Sequence, residues 1–449
     1  MLLNLLRLSI VFLASGVDAR KADSFSTSIS LNSADSDINL ACSSVHIDDE
    51  GYELCFSKFR KEIFLTDFAC TLAKGHFYRG NYRRAENKFE DCLSYHENNF
   101  GQSDPNTLQN VNQLLHIYVL LGKFDKAENL YLNYKSHFES ESSEVYPVSL
   151  MTQSILSSMY MYQGRYNEST RILDVALVKQ ADSFGIANLD SLESVLIKAK
   201  LYMKLGDYKI AEETATFCLG QRIQLLGENN LFTLDAMNTL ADVYCRQGNY
   251  SLAEELNTRS LYIHKNTYGL QHPSTWVVEN NIGVLHAALG RYNQSKQFLD
   301  SSYSKRAEFF GQNHYATLDT LYYISDLKTK IGKYTEAEHV LNDCIVRQER
   351  ALGADHPDTL RSLSDQAHIY HLLGDAERAE NHFSSTIRQM TWKLGVSHPL
   401  YFTARDELGY VYYQMGRYTD ALEVYTVTLD GRRERFGAEH PDTLKVSRH

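Results

Sequence analysis

A chain of 449 residues with a net charge of -11 and 43% apolar residues is long enough to build more than one core. Its negative field repels phosphate, which argues against nucleic acid and anionic membrane surfaces as partners. Seven scattered cysteines without a CxxC pair argue against a disulfide-built scaffold, a zinc ribbon or a thioredoxin-type site, and only six prolines favour long helices.

The chain begins MLLNLLRLSIVFLASGVDA, where Arg7 precedes the apolar run Leu8 to Ala14 and Val17-x-Ala19 satisfies the small-residue rule for cleavage. Residues 1–19 are therefore expected to be a signal peptide, and the protein to be secreted or to reside in the secretory lumen. An uncleaved Met1 and a cytoplasmic location is the alternative. The run is too short for a transmembrane span. Residues 20–58, rich in Ser and Asp, read as a flexible lead-in without sustained heptads. Cys42 and Cys55 within it are a candidate pair in an oxidising compartment.

From residue 59 to 449 the chain repeats itself. A marker glycine stands at 80, 122, 164, 206, 248, 290, 332, 374 and 416, every step being 42 residues. Two residues later comes an aromatic (Tyr82, Phe124, Tyr166 and onward, Ala376 excepted), and five later a small residue from Ala85 to Ala421. Seven before the marker lies a second small series: Ala73, Ala199, Ala241, Gly283, Ser325, Ala367 and Gly409. All six prolines (Pro105, Pro147, Pro273, Pro357, Pro399 and Pro441) stand 25 residues after a marker, the phase of a first helical position. The position before that phase is then an N-cap in each of the nine units: Asp104, Tyr146, Asn188, Asn230, His272, His314, His356, His398 and His440. Asp and Asn are strong caps, and neutral His has a ring nitrogen that accepts similarly. Each unit thus predicts a first helix of about 17 residues, a turn at the marker glycine and a second helix. The expected fold is an all-α solenoid of nine helical hairpins, each unable to bury its apolar face without its neighbours.

The chemistry-bearing residues read mostly as structure. The five phased histidines sit on successive repeats at roughly 10 Å spacing, too far apart for ligands that lie ~2 Å from zinc, so capping explains them better than metal. The tyrosine stripe reads as core. Cys92, Cys218 and Cys344, twelve residues past a marker, fill a small buried position, while Cys70 faces Cys92 across one hairpin as a candidate disulfide. Asn167, Asn249 and Asn293 open sequons and become candidate glycan sites if the chain is secreted. No phosphate-binding loop, dinucleotide fingerprint, HExxH, GxSxG or calcium loop occurs, so neither an enzyme nor a cofactor is expected.

A small residue, Tyr, Gly-x-Tyr-x-x-Ala and a later Leu, with the linker Gly-x-x-His-Pro-x-Thr-Leu at 353–360, resembles the tetratricopeptide repeat of the kinesin light chain type. The resemblance implies a superhelix whose first helices line a groove for peptide segments of partner proteins. It places groove positions ten, six and two or three residues before the marker glycines, with the family's Asn-Asn pair at Asn280 and Asn281. These are Lys74, Asn112, His116, Lys200, Lys204, Asn238, Asp242, Arg246, Asn280, Asn281, Tyr322, Asp326, Lys330, Ser364 and His368. Amides there can pair with an extended backbone, and the cations at 200–246 favour acidic segments. The expected function is a protein-interaction scaffold, with a cytoplasmic kinesin light chain-like cargo adaptor as the alternative. From Pro441 the pattern opens a tenth first helix, and that end is a candidate for end-to-end self-association.

Overall fold

The computed structural model describes residues 68–138, 146–438 and 443–444. The signal peptide, the lead-in with Cys42 and Cys55, and most of the tenth helix lie outside the described residues. Among those described, the chain is all-α, and its helices come in pairs. The pairs are α1 (Phe68–Tyr78) with α2 (Tyr82–Phe100), α3 (Pro105–Leu120) with α4 (Phe124–Phe138), and α5 (Tyr146–Tyr162) with α6 (Tyr166–Phe184). Then follow α7 (Leu189–Lys204) with α8 (Tyr208–Leu226), α9 (Leu231–Arg246) with α10 (Tyr250–Thr267), and α11 (Pro273–Ala288) with α12 (Tyr292–Phe310). The last are α13 (Tyr315–Lys330) with α14 (Tyr334–Ala351), α15 (Pro357–Leu372) with α16 (Ala376–Lys393), and α17 (Pro399–Gln414) with α18 (Tyr418–Phe436).

Local chemistry explains where each helix starts and stops. The Asp104 carboxylate accepts from the N–H groups of Asn106 and Thr107. Asn188 and Asn230 cap α7 and α9 by accepting from Asp190 and Phe232. The Nδ1 atoms of His314, His356 and His398 do the same for Ala316, Asp358 and Leu400. At the other end, the marker glycines turn the chain with φ between 67° and 90°, a region that only glycine enters without strain. The next residue then donates back into the finished helix, as Lys123 N–H does to the Tyr118 carbonyl at 2.8 Å.

The two small-residue series meet within each hairpin. Ser157 and Ser169 Oγ lie 2.9 Å apart, and Ser325 Oγ donates to the Ala337 carbonyl. A Cβ on Gly283 would fall 2.7 Å from Leu299 Cγ, so no larger residue fits that approach. Small side chains here let two helices close to the 8–10 Å at which their ridges interlock.

The chain divides into two compact units. The first comprises residues 1–155 and 265–272, the second residues 156–264 and 273–449. In the first, the Cys70–Cys92 disulfide ties α1 to α2, with Cα atoms 5.1 Å apart. Asn112 there donates to the Val148 carbonyl and accepts from Thr152. In the second, every first helix from α7 to α15 also touches the first helix of the following repeat. That side is the inner face of the unit.

Candidate peptide-binding face

The inner face of the larger unit is built from charged and phenolic side chains on α5, α7, α9, α13 and α15. Lys200 meets Asp235 at 2.8 Å and Lys204 meets Asp358 at 3.7 Å. Arg246 pairs with Asp242 one turn earlier at 3.1 Å and reaches the Tyr323 hydroxyl at 3.5 Å. Arg361 lies over the Tyr322 ring, 3.9 Å from its centroid, and contacts Asp319 and Asp358 at 3.3 Å each. The Tyr322 hydroxyl donates to Asp365 at 2.5 Å, and Lys330 pairs with Asp326. The cations of the 200–246 cluster are thus partly covered and already matched by carboxylates.

Ionisation follows from this crowding. Asp242 holds the Arg246 guanidinium well above its usual range against the cost of burial. Burial pushes the Asp358 carboxyl upward, but Lys204, Arg361, His356 and Arg246 together hold it well below the usual carboxylate range. Asp365 goes the other way: burial dominates and lifts it to about 6, against the lowering effect of the Tyr322 hydrogen bond. Burial also raises Tyr322 well above a free phenol.

The structure sorts the residues assigned to the groove into two groups. Lys74, His116, Lys200, Lys204, Asp242, Arg246, Asn281, Tyr322, Asp326 and His368 are half-buried and Lys330 is exposed. His368 faces Glu407 at 2.9 Å, and His116 packs against the Phe77 ring. Asn112, Asn238, Asn280 and Ser364 are instead buried, none more than 6% exposed. Asn238 accepts from Ser260, and Asn112 bridges α3 to α5 as described. Four of the positions assigned to a ligand's backbone are therefore packed between helices, Asn112 against the next repeat and Asn238 against the second helix of its own hairpin.

A further series escaped notice in the sequence. Sixteen residues past a marker glycine stand Arg222, Arg306 and Arg432, each at most 4% exposed. Arg222 donates to the Phe232 carbonyl and to Glu193, both at 2.6 Å. Arg306 donates to the Ala316 carbonyl and Thr320, both at 2.8 Å, and Arg432 pairs with Asp406. Their shared phase is the available signal; Arg222 and Arg306 join second helices to the first helices of the following repeats, and Arg432 ties α18 to α17 of its own hairpin. Cys218 and Cys344, at the phase of Cys92, donate to the carbonyls of Leu192 and Leu318. Burial pushes both thiols up to about 12, so they are inert protonated core groups. Cys70, Cys92 and His96 cluster within 4.8 Å, but the disulfide engages both sulfurs. The sequon residues Asn167, Asn249 and Asn293 are exposed beside the hairpin turns.

Stacked helical hairpins of constant length, with an inner face of first helices, define a repeat solenoid of the protein-interaction class. Models of the tetratricopeptide repeat match residues 186–266, 236–308, 274–349 and 317–391, and a second such model matches residues 403–442. Together these span more than half of the chain, which belongs to the tetratricopeptide repeat family. No curated protein sequence matches it. Among solved structures it is similar to the apo form of the quorum sensor NprR from B. thuringiensis, at 14% identity and a TM-score of 0.53, covering 81% of this chain and 97% of that one. A Rap protein complexed with Competence and Sporulation Factor has 12% identity and a TM-score of 0.53, with 73% and 98% covered. Kinesin light chain TPR-like repeats from Podospora anserina have 21% identity and a TM-score of 0.37, with 45% and 95% covered. No helix among the described residues is long and apolar enough to cross a membrane.

Proposed function

We propose that this protein is a scaffold that holds peptide segments of partner proteins on the inner face of its larger unit, within the secretory pathway or outside the cell. The observation that carries this reading is the convergence of Lys200, Lys204, Arg246 and Arg361, with Tyr322 and Tyr323, on the inner face formed by the first helices α7, α9, α13 and α15. An extended peptide has acids to exchange for Asp235, Asp242 and Asp358, and backbone groups to bond. Because each cation already has a carboxylate, binding is an exchange of partners, and specificity exceeds raw affinity. No catalytic role is part of this reading. The Cys70–Cys92 disulfide supports an oxidising compartment.

Two variants of opposite sign test the binding face. Asp242→Asn frees Arg246 and should tighten binding of acidic peptides severalfold. Lys200→Ala with Lys204→Ala should weaken it about tenfold, the equivalent of ~1.4 kcal/mol. A peptide library titrated by calorimetry reads both, and the reading is lost if neither variant shifts affinity. Location is tested separately by treating the protein from its native cell with N-glycosidase. A mass shift mapping to Asn167, Asn249 or Asn293 supports the secretory pathway, and an unprocessed Met1 with bare asparagines refutes it.

A further inference from the structure

The histidine caps do more than cap. His356 Nδ1 accepts the Asp358 N–H at 3.1 Å, which fixes the proton on Nε2. That Nε2–H donates at 3.0 Å to the carbonyl of Tyr162, which lies 194 residues earlier in the chain. In the smaller unit His272 Nε2 meets the Tyr78 carbonyl at 3.3 Å, again 194 residues away. Around His356 and His398 the approach is close. A Cβ on Gly164 would lie 2.2 Å from Pro357, and one on Gly206 would lie 2.4 Å from Pro399. His398 stacks on Tyr166 with centroids 5.8 Å apart and planes inclined by 4°. Lys204–Asp358 at 3.7 Å and Arg435–Asp207 at 3.9 Å flank the same line. The larger unit therefore coils until the starts of α15 and α17 meet the elbows α5–α6 and α7–α8.

The sequence carries a matching pattern. Each histidine cap has a marker glycine 192 residues before it: Gly80 for His272, Gly164 for His356 and Gly206 for His398. Asp and Asn serve the local job as well as histidine does. Histidine adds a second ring nitrogen, which at His272 and His356 reaches a carbonyl on the preceding coil, while the His398 ring stacks on Tyr166.

We propose that His356 and His398 form an acid-labile seam that closes the larger unit on itself and opens when the imidazoles are protonated. A proton on Nδ1 of either ring turns an acceptor into a donor that faces the helix N–H it was capping. The His356 ring has Asp358 and Arg361 on its own helix and Lys204 on α7, with the Tyr162 carbonyl on α5. Asp358, 3.8 Å from Nδ1, and the Tyr162 carbonyl favour the new charge, but Asp358 is already engaged by Lys204 and Arg361. The His398 ring faces Lys204 on α7 and Arg435 on α18, and its buried Nε2 has no hydrogen-bond partner. Burial first, then these cations, hold His356 below its ordinary value and lower His398 to about 4. Groups whose folded values lie below the unfolded one stabilise the closed form above the unfolded value, and that contribution is lost as pH falls towards the folded value. Acid therefore opens the seam. The consequence for ligand access to the inner face rests on the peptide-holding reading above, whereas the seam itself does not.

The test uses the full chain with no peptide present, so its failure is distinct from a failure of that reading. His356→Asn with His398→Asn keeps both caps, as Asn188 and Asn230 do, and removes both cross-coil rings. Small-angle scattering should show the wild-type protein expanding as pH falls from 7.5, with a midpoint between the ordinary ~6.5 of histidine and the about 4 of His398, at constant helical circular dichroism. The double variant should already be expanded at pH 7.5 and lose most of the step. Equal dimensions and equal pH response of the two proteins overturn the seam. Hydrogen exchange of wild-type segments 160–166 and 202–208 at pH 7.5 and 5 needs no variant. Loss of protection at pH 5 supports the seam, and unchanged protection overturns it.

Discussion

The packed faces between helices and the inner face of the larger unit come from the same first helices, yet they are built on opposite rules. Where Ser157 meets Ser169, or Gly283 meets Leu299, the contact is tight and intolerant of a single added carbon. Where Lys200, Arg246 and Arg361 meet their carboxylates, the side chains are long, half-covered and compensated in charge. The contrast teaches that the small-residue faces supply stability, while the charge-paired inner face adds little to it. Ion pairs of this exposure contribute little to folding.

That division can be broken most severely at Gly283. Gly283→Leu forces a side chain into Leu299 and should cost about 3 kcal/mol, read as a lower urea midpoint. Loss of the Cys70–Cys92 link, which closes a segment with a separation of 22 residues, should cost about 2 kcal/mol. Melting with and without reductant measures it, and Cys218→Ala offers the comparison in a hairpin where the same phase carries a lone thiol. On the inner face Asp365→Asn should have the opposite sign. The carboxyl is raised to about 6, so the folded state stabilises its protonated form, and that contribution disappears as pH rises through 6. An amide that still accepts from Tyr322 should add about 1 kcal/mol at pH 7.5, roughly half of that at pH 5 and almost nothing below the unfolded value of 3.8, as seen in paired thermal melts. Lys330→Ala should be the mildest, below about 0.5 kcal/mol, since its pair with Asp326 is partly open to solvent. A Lys330 effect as large as that of Gly283 would erase the distinction between the two faces.

Much of the site was legible before the coordinates. Lys200, Lys204, Arg246 and Tyr322 were assigned to the groove from their phase, and they stand together on the inner face. Asn112, Asn238, Asn280 and Ser364 were assigned by the same rule and are buried between helices. Phase relative to a glycine fixes the azimuth of a residue on its own helix, but not whether the neighbouring helix covers that azimuth. The carboxylate partners of Lys200 and Lys204 were invisible for a similar reason. Asp235 lies 35 residues from Lys200, and Asp358 stands on a distant coil from Lys204.

What the sequence determined alone is everything that repeats every 42 residues: paired helices, glycine turns, side-chain caps and the two small faces that let helices close. These depend on contacts within a hairpin or between adjacent ones, so the local pattern suffices to specify them. The tertiary structure decided what depends on the pitch of the coil. It set Asp358 against Lys204 and placed the second nitrogen of His356 against a carbonyl 194 residues away. A small rotation per repeat accumulates over several repeats, and no single repeat encodes where the sum will land.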